Sequence, residues 1–118
     1  MATKATRLPD YVPDTITDKS IHDFLHTYYD TSNDGQAHDD YADFFTKDGQ
    51  FIFNDKKAKG RDEILKLRKA IWSHVPGRDH YPLQIYTHGS DPTDLMVYGI
   101  VTYDHHHGHQ TEAEVLQH

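Results

Sequence analysis

The chain has 118 residues, a formal net charge of -7 with neutral histidines, and no cysteine. This length suits one compact domain with a single core, and the absence of cysteine excludes disulfides and thiolate chemistry. The negative charge argues against a nucleic-acid partner, and no segment approaches the ~20 apolar residues of a membrane span. We therefore expect a single-domain cytoplasmic protein with no nucleic-acid and no membrane partner.

The first half of the chain predicts an arm, two helices and a strand. Residues 1–16 have no periodicity and predict an N-terminal arm, which leaves a domain over residues 17–118. Thr17 is a candidate N-cap, and apolar side chains then recur with helical spacing at Ile21, Phe24, Leu25 and Tyr28. A second, short helix is predicted to end at Gly49, and "QFIF" at 50–53 to form a strand.

The second half predicts one helix and a series of antiparallel strands. A charged turn, "KKAKGR", should lead into a third helix whose apolar stripe is Ile64, Leu67 and Ile71. After Gly77 the period changes to two, which predicts strands over 80–89 and 94–104 joined at an Asp-Pro turn, then a third strand over 110–118. The fold class is therefore α+β, with a curved, cone-shaped antiparallel sheet packed against three N-terminal helices.

The run "YADFFTKDGQFIF" leading into "KGRDEILKL" resembles the SnoaL-like branch of the nuclear transport factor 2-like superfamily. The similarity spans Ile21 to the C-terminus. It implies a pocket for a hydrophobic small molecule and a homodimer formed through the open sheet face. Members include dehydratases, isomerases, polyketide cyclases and proteins that only bind. They usually carry one more long strand than the one predicted at 110–118, so this domain would lack that last strand.

Within the superfamily, the pattern is similar to that of scytalone dehydratases, whose site combines an adjacent Tyr-Asp pair with two histidines. Here "YYD" places Tyr29 and Asp30 at the matching point, and "RDHY" places His80 at the start of a strand. His105, after "VYGIVTYD", is nearest to the position of the second histidine. The resemblance implies that these four residues are catalytic.

Dehydration of a hydroxy-ketone requires a base for the alpha proton, an acid for the departing hydroxyl, and a donor for the carbonyl oxygen. In the predicted site His80 is the base or acid, Asp30 orients it, and Tyr29 holds the carbonyl. His105 assists the leaving group. No cofactor is expected. Because isomerases and aldol-type cyclases also begin by removing an alpha proton, the reaction type stays open.

The residues of this predicted site also have non-catalytic explanations. On a regular helix Asp30 would point to water, nearly opposite the apolar stripe, and His80 could be an ordinary loop histidine. Five aromatic residues are candidates to line a pocket for a flat aromatic or polyketide ligand, although core packing explains them equally well: Phe53, Trp72, Tyr81, Tyr86 and Tyr98. A non-catalytic ligand-binding or dimerisation module of the same fold is therefore the alternative function.

Histidine-rich segments suggest metal binding only weakly. His22 and His26 are one helical turn apart, but a third ligand at a fixed position is absent. "HHHGH" at 105–109 coincides with a predicted turn, where consecutive histidines are typical of a solvated loop. We expect no physiological metal site.

Overall fold

The computed structural model describes residues 16–105 and 108–118, so the predicted arm lies outside the described residues except for Ile16. Three helices and five strands are described, namely α1 (Lys19–Ser32), α2 (His38–Ala42), β1 (Gln50–Phe53), β2 (Lys56–Lys59), α3 (Arg61–His74), β3 (Gly77–His88), β4 (Asp91–Asp104) and β5 (Gln110–Gln117). Within these ranges, none of the helices is long and apolar enough to cross a membrane.

Helix α1 begins one residue later than predicted. Asp18, not Thr17, is the N-cap, because its carboxylate accepts a hydrogen bond from the backbone N–H of Ser20 at 2.9 Å. The helix continues without unwinding through Ser32. Its buried face contains Leu25 and Tyr29, which pack against the sheet in a cluster with Ile16, Ile85 and Val97.

The lysine-rich segment is a strand, and the prediction of a charged turn was wrong. Lys56–Lys59 pair antiparallel with β1, so that Phe51 lies opposite Ala58. The turn itself is confined to the two residues between the strands, where Asn54 has a φ of 55°. Only Ala58 of β2 is buried, and its three lysines face water, which hides the alternating pattern of a strand.

The antiparallel run predicted for the second half is confirmed as a sheet in the order β3-β4-β5. The hairpin turn precedes Asp91, and Pro92 lies inside β4, so the Asp-Pro turn was misplaced. Gly89 occupies that turn with a φ of 56°. Near a register shift after Pro82, a Cβ on Gly99 would lie 2.5 Å from the carbonyl oxygen of Tyr81, so only glycine permits this approach of the strands.

The α+β class is confirmed, with two corrections to its details. Helix α3 follows the first hairpin, so the helices do not all precede the strands. The described strands form a three-stranded sheet and a separate two-stranded sheet, and a cone that encloses a pocket stays an expectation. A second core cluster joins α2, β2 and α3 through Tyr41, Ala42, Ala58 and Ile64. The space between this cluster and the main sheet positions the candidate site.

Candidate functional site

A cavity of about 250 Å³ lies between α3, β1 and the main sheet. Phe53 and Trp72, both predicted as pocket residues, line it. So do three basic side chains, Arg68, Arg78 and His80. Alternate residues of a strand point to the same side, which is why Arg78 and His80 both face this cavity from β3.

The imidazole of His80 is held by Asn33. The Asn33 Oδ1 atom lies 2.7 Å from His80 Nδ1 and also accepts the backbone N–H of His80 at 2.8 Å. Asn33 Nδ2 donates to Asp79 Oδ1 at 3.1 Å, which fixes the orientation of the amide. Since an amide oxygen only accepts, the ring donates from Nδ1 and keeps its lone pair on Nε2.

The surroundings keep this imidazole neutral. Burial, together with the nearby positive charges of Arg78 and Arg68, lowers the pKa of His80 to about 4. At neutral pH the Nε2 lone pair is therefore available to take a proton. A fixed tautomer and an available lone pair allow the ring to act as a general base, and its low pKa makes it a weak base at neutral pH.

We expect His80 to make folding stability depend on pH. Its pKa is lower in the folded state than the ordinary value of 6.5, so the unfolded chain binds the proton first. Stability from this group is complete above about pH 6.5 and is lost as the pH falls towards 4, with a total of about 3 kcal/mol. Urea titrations at several pH values measure the free energy of unfolding, and His80→Gln should make it depend less steeply on pH between about 4 and 6.5. The exposed control His88→Gln should keep the dependence of the wild type. Equal pH dependence in all three proteins would contradict the lowered pKa of His80.

Tyr29 lies beside His80 but its hydroxyl is already engaged. The residue is buried, its ring centroid is 6.1 Å from that of His80, and its hydroxyl donates to Gln117 Oε1 at 2.6 Å. Burial raises the pKa of Tyr29, so the phenol stays protonated. Gln117 also lines the cavity. The Tyr29 hydroxyl therefore orients the Gln117 amide at the cavity wall.

Arg68 is a buried side chain that sequence reasoning missed. Its guanidinium donates to the backbone carbonyls of Thr31, Ser32 and Asp34, at 3.1, 3.4 and 2.6 Å. Its Nε donates to His38 Nδ1 at 3.0 Å. These bonds add donors to carbonyls in and just after the last turn of α1, where Thr31 and Asp34 also accept the backbone N–H groups of Asp34 and Ala37. Arg68 therefore holds the segment that carries Asn33.

Arg78 is also buried, with 8% of its surface exposed, but its contacts are different. One nitrogen, Nη2, donates to the Ile71 carbonyl at 3.3 Å. Within the described part of the chain, its buried Nε has no hydrogen-bond partner. The guanidinium lies 4.4 Å from the ring centroid of Trp72 and 5.5 Å from that of Tyr103. Sequence analysis did not single out Arg78, although its position two residues before His80 places both on one strand face.

A second cavity, of about 420 Å³, adjoins the first and contains His105. Phe53, Ile71, Arg78 and Tyr103 line both cavities. His105 lies in the β4–β5 turn, with Nε2 2.8 Å from Thr111 Oγ1. His105 and His80 thus line neighbouring cavities that share Arg78 and Tyr103 as a common wall, and the structure does not place the two histidines together.

The remaining predicted residues lie outside both cavities. Asp30 is exposed, as a regular helix requires, and the contact to His80 expected from it is made by Asn33. Tyr81 is 37% exposed because neighbouring residues of a strand face opposite sides, and Tyr86 is 47% exposed because the irregularity between Pro82 and Gln84 reverses the alternation. Tyr98 lies opposite Leu116 on this same outer face of the sheet.

Within residues 16–105 and 108–118, no group of three or more His, Asp or Glu side chains could hold a metal ion. His106 and His107 of the "HHHGH" segment fall outside the described residues.

Comparisons with known proteins support the fold. No family model and no curated protein sequence matches the chain. A nuclear transport factor 2-like protein of unknown function from Exiguobacterium sp. 255-15 superimposes with a TM-score of 0.63 at 16% identity, over 79% of this chain and 81% of that one. A protein from Catenulispora acidiphila gives 0.64 at 20% identity, over 83% and 73%.

A third solved structure is a candidate scytalone dehydratase from Novosphingobium aromaticivorans DSM 12444. It gives a TM-score of 0.65 at 15% identity and covers 83% of this chain, which spans 66% of that protein. At such identities the likeness establishes the fold alone. The chain has the nuclear transport factor 2-like fold, and the resemblance inferred from its sequence is confirmed at this level.

Proposed function

We propose that this protein is a small, cytoplasmic, cofactor-free enzyme that acts by acid-base catalysis on a hydrophobic carbonyl or polyketide-type compound. The reaction class is that of a dehydratase, isomerase or cyclase, each of which begins with removal of an alpha proton. The observation that carries the proposal is His80, whose ring lines a cavity of about 250 Å³ with its tautomer held by Asn33. A His-Asn pair is a known way to orient a catalytic imidazole.

In the proposed mechanism, His80 Nε2 takes the alpha proton, and the Asn33 amide oxygen keeps the other ring nitrogen protonated. The Tyr29 hydroxyl fixes Gln117 Oε1, so the amide N–H groups of Gln117 can donate to the substrate's carbonyl oxygen as negative charge accumulates there. His105 lines the neighbouring cavity and would assist the leaving group of longer substrates in this mechanism. Asp30 has no role in this mechanism because its side chain is exposed.

The alternative is a non-catalytic binding module of the same fold. The exposure of Asp30, and of tyrosines expected to line a pocket, favours this alternative. The partly buried, oriented imidazole of His80 and the buried charge of Arg78 favour chemistry, since a site that only binds apolar ligands would need neither.

A substrate screen tests the proposal. Cyclic hydroxy-ketones come first, because a candidate scytalone dehydratase shares the fold. Loss of water would be followed by the absorbance of the conjugated product, with His80→Gln and the exposed His88→Gln as test and control. We expect turnover in the wild type and the control only. Turnover that His80→Gln leaves unchanged would refute the proposed role of His80.

We also propose a homodimer through the outer face of the main sheet. Four large apolar side chains are 37–63% exposed there, which is unusual for a monomer: Tyr81, Leu83, Tyr86 and Leu116. Sedimentation should find a dimer for the wild type and a monomer for Leu116→Asp. Ile52→Asp, on β1 and 60% exposed, is the matched control and should stay dimeric. A monomeric wild type would contradict this proposal.

A further inference from the structure

Arg78 is a buried cation without a counter-charge. Among the described residues, ion pairs involve only Arg61 and His118 as the basic partners. The sole acidic residue among the described lining of the cavity, Glu114, is exposed and hydrogen-bonds Tyr98. Burying a guanidinium with neither a carboxylate nor a full set of acceptors is costly. Such an arrangement is expected where a ligand supplies the missing anion.

The two buried arginines of the cavity differ in how many of their hydrogen-bond donors find an acceptor in the protein. Arg68 donates to four acceptors of the protein and is thereby satisfied. Arg78 makes one hydrogen bond, to Ile71, and its buried Nε makes none with the described residues. A guanidinium presents its donors in a planar fork that matches a carboxylate. The Nε atom is shielded from the cavity, so the donors that would receive a carboxylate are those at the Nη1 and Nη2 end that the described residues leave unused.

We propose that the cavity binds its ligand through a carboxylate held by Arg78, and that the substrates are flat, ring-bearing carboxylic acids. The inference rests on the proposed function and narrows its substrate class. Trp72 and Tyr103 line the cavity beside the guanidinium and give it an aromatic wall against which the ring of the ligand would pack. A cavity of about 250 Å³ holds such a ring and its carboxylate, because about 150 Å³ is enough for benzene.

A carboxylate of the substrate, which stays charged throughout the catalytic cycle, explains the burial of Arg78 better than an enolate intermediate does. An enolate exists for a small part of the catalytic cycle and would leave the guanidinium uncompensated for the rest of it. A carboxylate of the substrate compensates it from binding to release. Because the Cα atoms of residues two apart on a strand are separated by about 7 Å, Arg78 and His80 would hold the carboxylate and the acidic carbon at separate points of the cavity. The acidic carbon should therefore be several bonds from the carboxylate.

The test compares benzoate with benzamide, which has nearly the same shape but no charge. Trp72 is the only tryptophan of the chain, so its fluorescence reports directly from this cavity. We expect benzoate to bind the wild type about 10- to 100-fold more tightly than benzamide, as expected for charge-assisted hydrogen bonds. Arg78→Met should abolish the preference, and Arg78→Lys, which keeps the charge, should retain part of it. Arg61→Met, which removes an exposed arginine, is the control and should behave as the wild type.

Equal affinities for the two probes in the wild type, or a preference that survives Arg78→Met, would overturn the inference. No saturation by benzoate up to about 10 mM would overturn it as well. His80→Gln should bind benzoate within about threefold of the wild type, since the base makes no contact with the anion in this account. A failure of the substrate inference is therefore distinguishable from a failure of the acid-base mechanism, which is measured by turnover.

Discussion

His80→Gln is expected to lower kcat/KM for a substrate of this protein by a factor of about 10² to 10⁴, the usual contribution of a positioned general base. Glutamine can still donate to Asn33 but has no lone pair basic enough to take an alpha proton. His88→Gln, on the exposed end of β3, should change kcat/KM less than about twofold. A loss in the control as large as that in His80→Gln would point to general damage rather than to a missing base.

Exchanging Asn33 and Asp79 tests the orientation of the base. In the double variant Asn33→Asp, Asp79→Asn, the hydrogen bond between the two positions can form again, but a carboxylate now faces His80 Nδ1. A nearby negative charge stabilises the imidazolium and raises its pKa above the native value of about 4. The acid limb of the kcat/KM profile should move to higher pH. An unmoved limb would show that the titration of His80 does not control the rate.

The second large effect is a contrast in stability between the two buried arginines. Arg68→Met removes the guanidinium donor from the buried Ser32 carbonyl and leaves the Thr31 and Asp34 carbonyls with backbone donors only, so we expect the free energy of unfolding to fall by about 1–3 kcal/mol. Arg78→Met removes an uncompensated charge from apolar and aromatic surroundings, so the change should be near zero or stabilising.

Urea unfolding of both variants and of Arg61→Met measures this contrast. The control removes an exposed ion pair with Asp39 and Asp43, which is worth less than about 1 kcal/mol. Similar large losses in Arg68→Met and Arg78→Met would show that both arginines are structural. The carboxylate site would then lose its physical basis.

The sequence predicted the class of the fold, for physical reasons, and singled out His80, which lines the cavity. Apolar residues recur with a fixed spacing in amphipathic helices and strands, which is why α1, α3 and the three strands of the main sheet were predicted. The β2 strand was missed because only Ala58 faces the core. His80 was found through family resemblance, and its position at the start of a strand was correct to within three residues of the observed Gly77.

The partner of the base was harder to predict. Resemblance pointed to Asp30, while helical geometry turns that residue to the surface, and the geometry prevailed. Asn33 lies one turn after Tyr29 on the buried face, and this spacing of four residues is the signal that could have found it. Tyr29 and Asn33 both contact His80 in the structure.

Arg68 and Arg78 are buried charged residues that the hydrophobic pattern of the sequence did not reveal. Arg68 occurs four residues after Ile64 and four before Trp72, inside the apolar stripe of α3, where a charge is unexpected. Arg78 shares a strand face with His80. Composition assigns arginine to the surface, so a charge at a core position is itself a functional signal. The burial and the unused donors of Arg78 could be learned only from the structure.

The measurement that tests the central claim most directly is exchange of the alpha proton. A panel of cyclic ketones carrying a carboxylate would be incubated with the protein in D₂O, and deuterium at the alpha carbon followed by NMR. This readout precedes dehydration, isomerisation and cyclisation alike. The account predicts exchange at one prochiral position by the wild type and its loss in His80→Gln. Exchange no faster than in buffer, for every ketone that binds the cavity, would contradict it and identify the protein as a binding module.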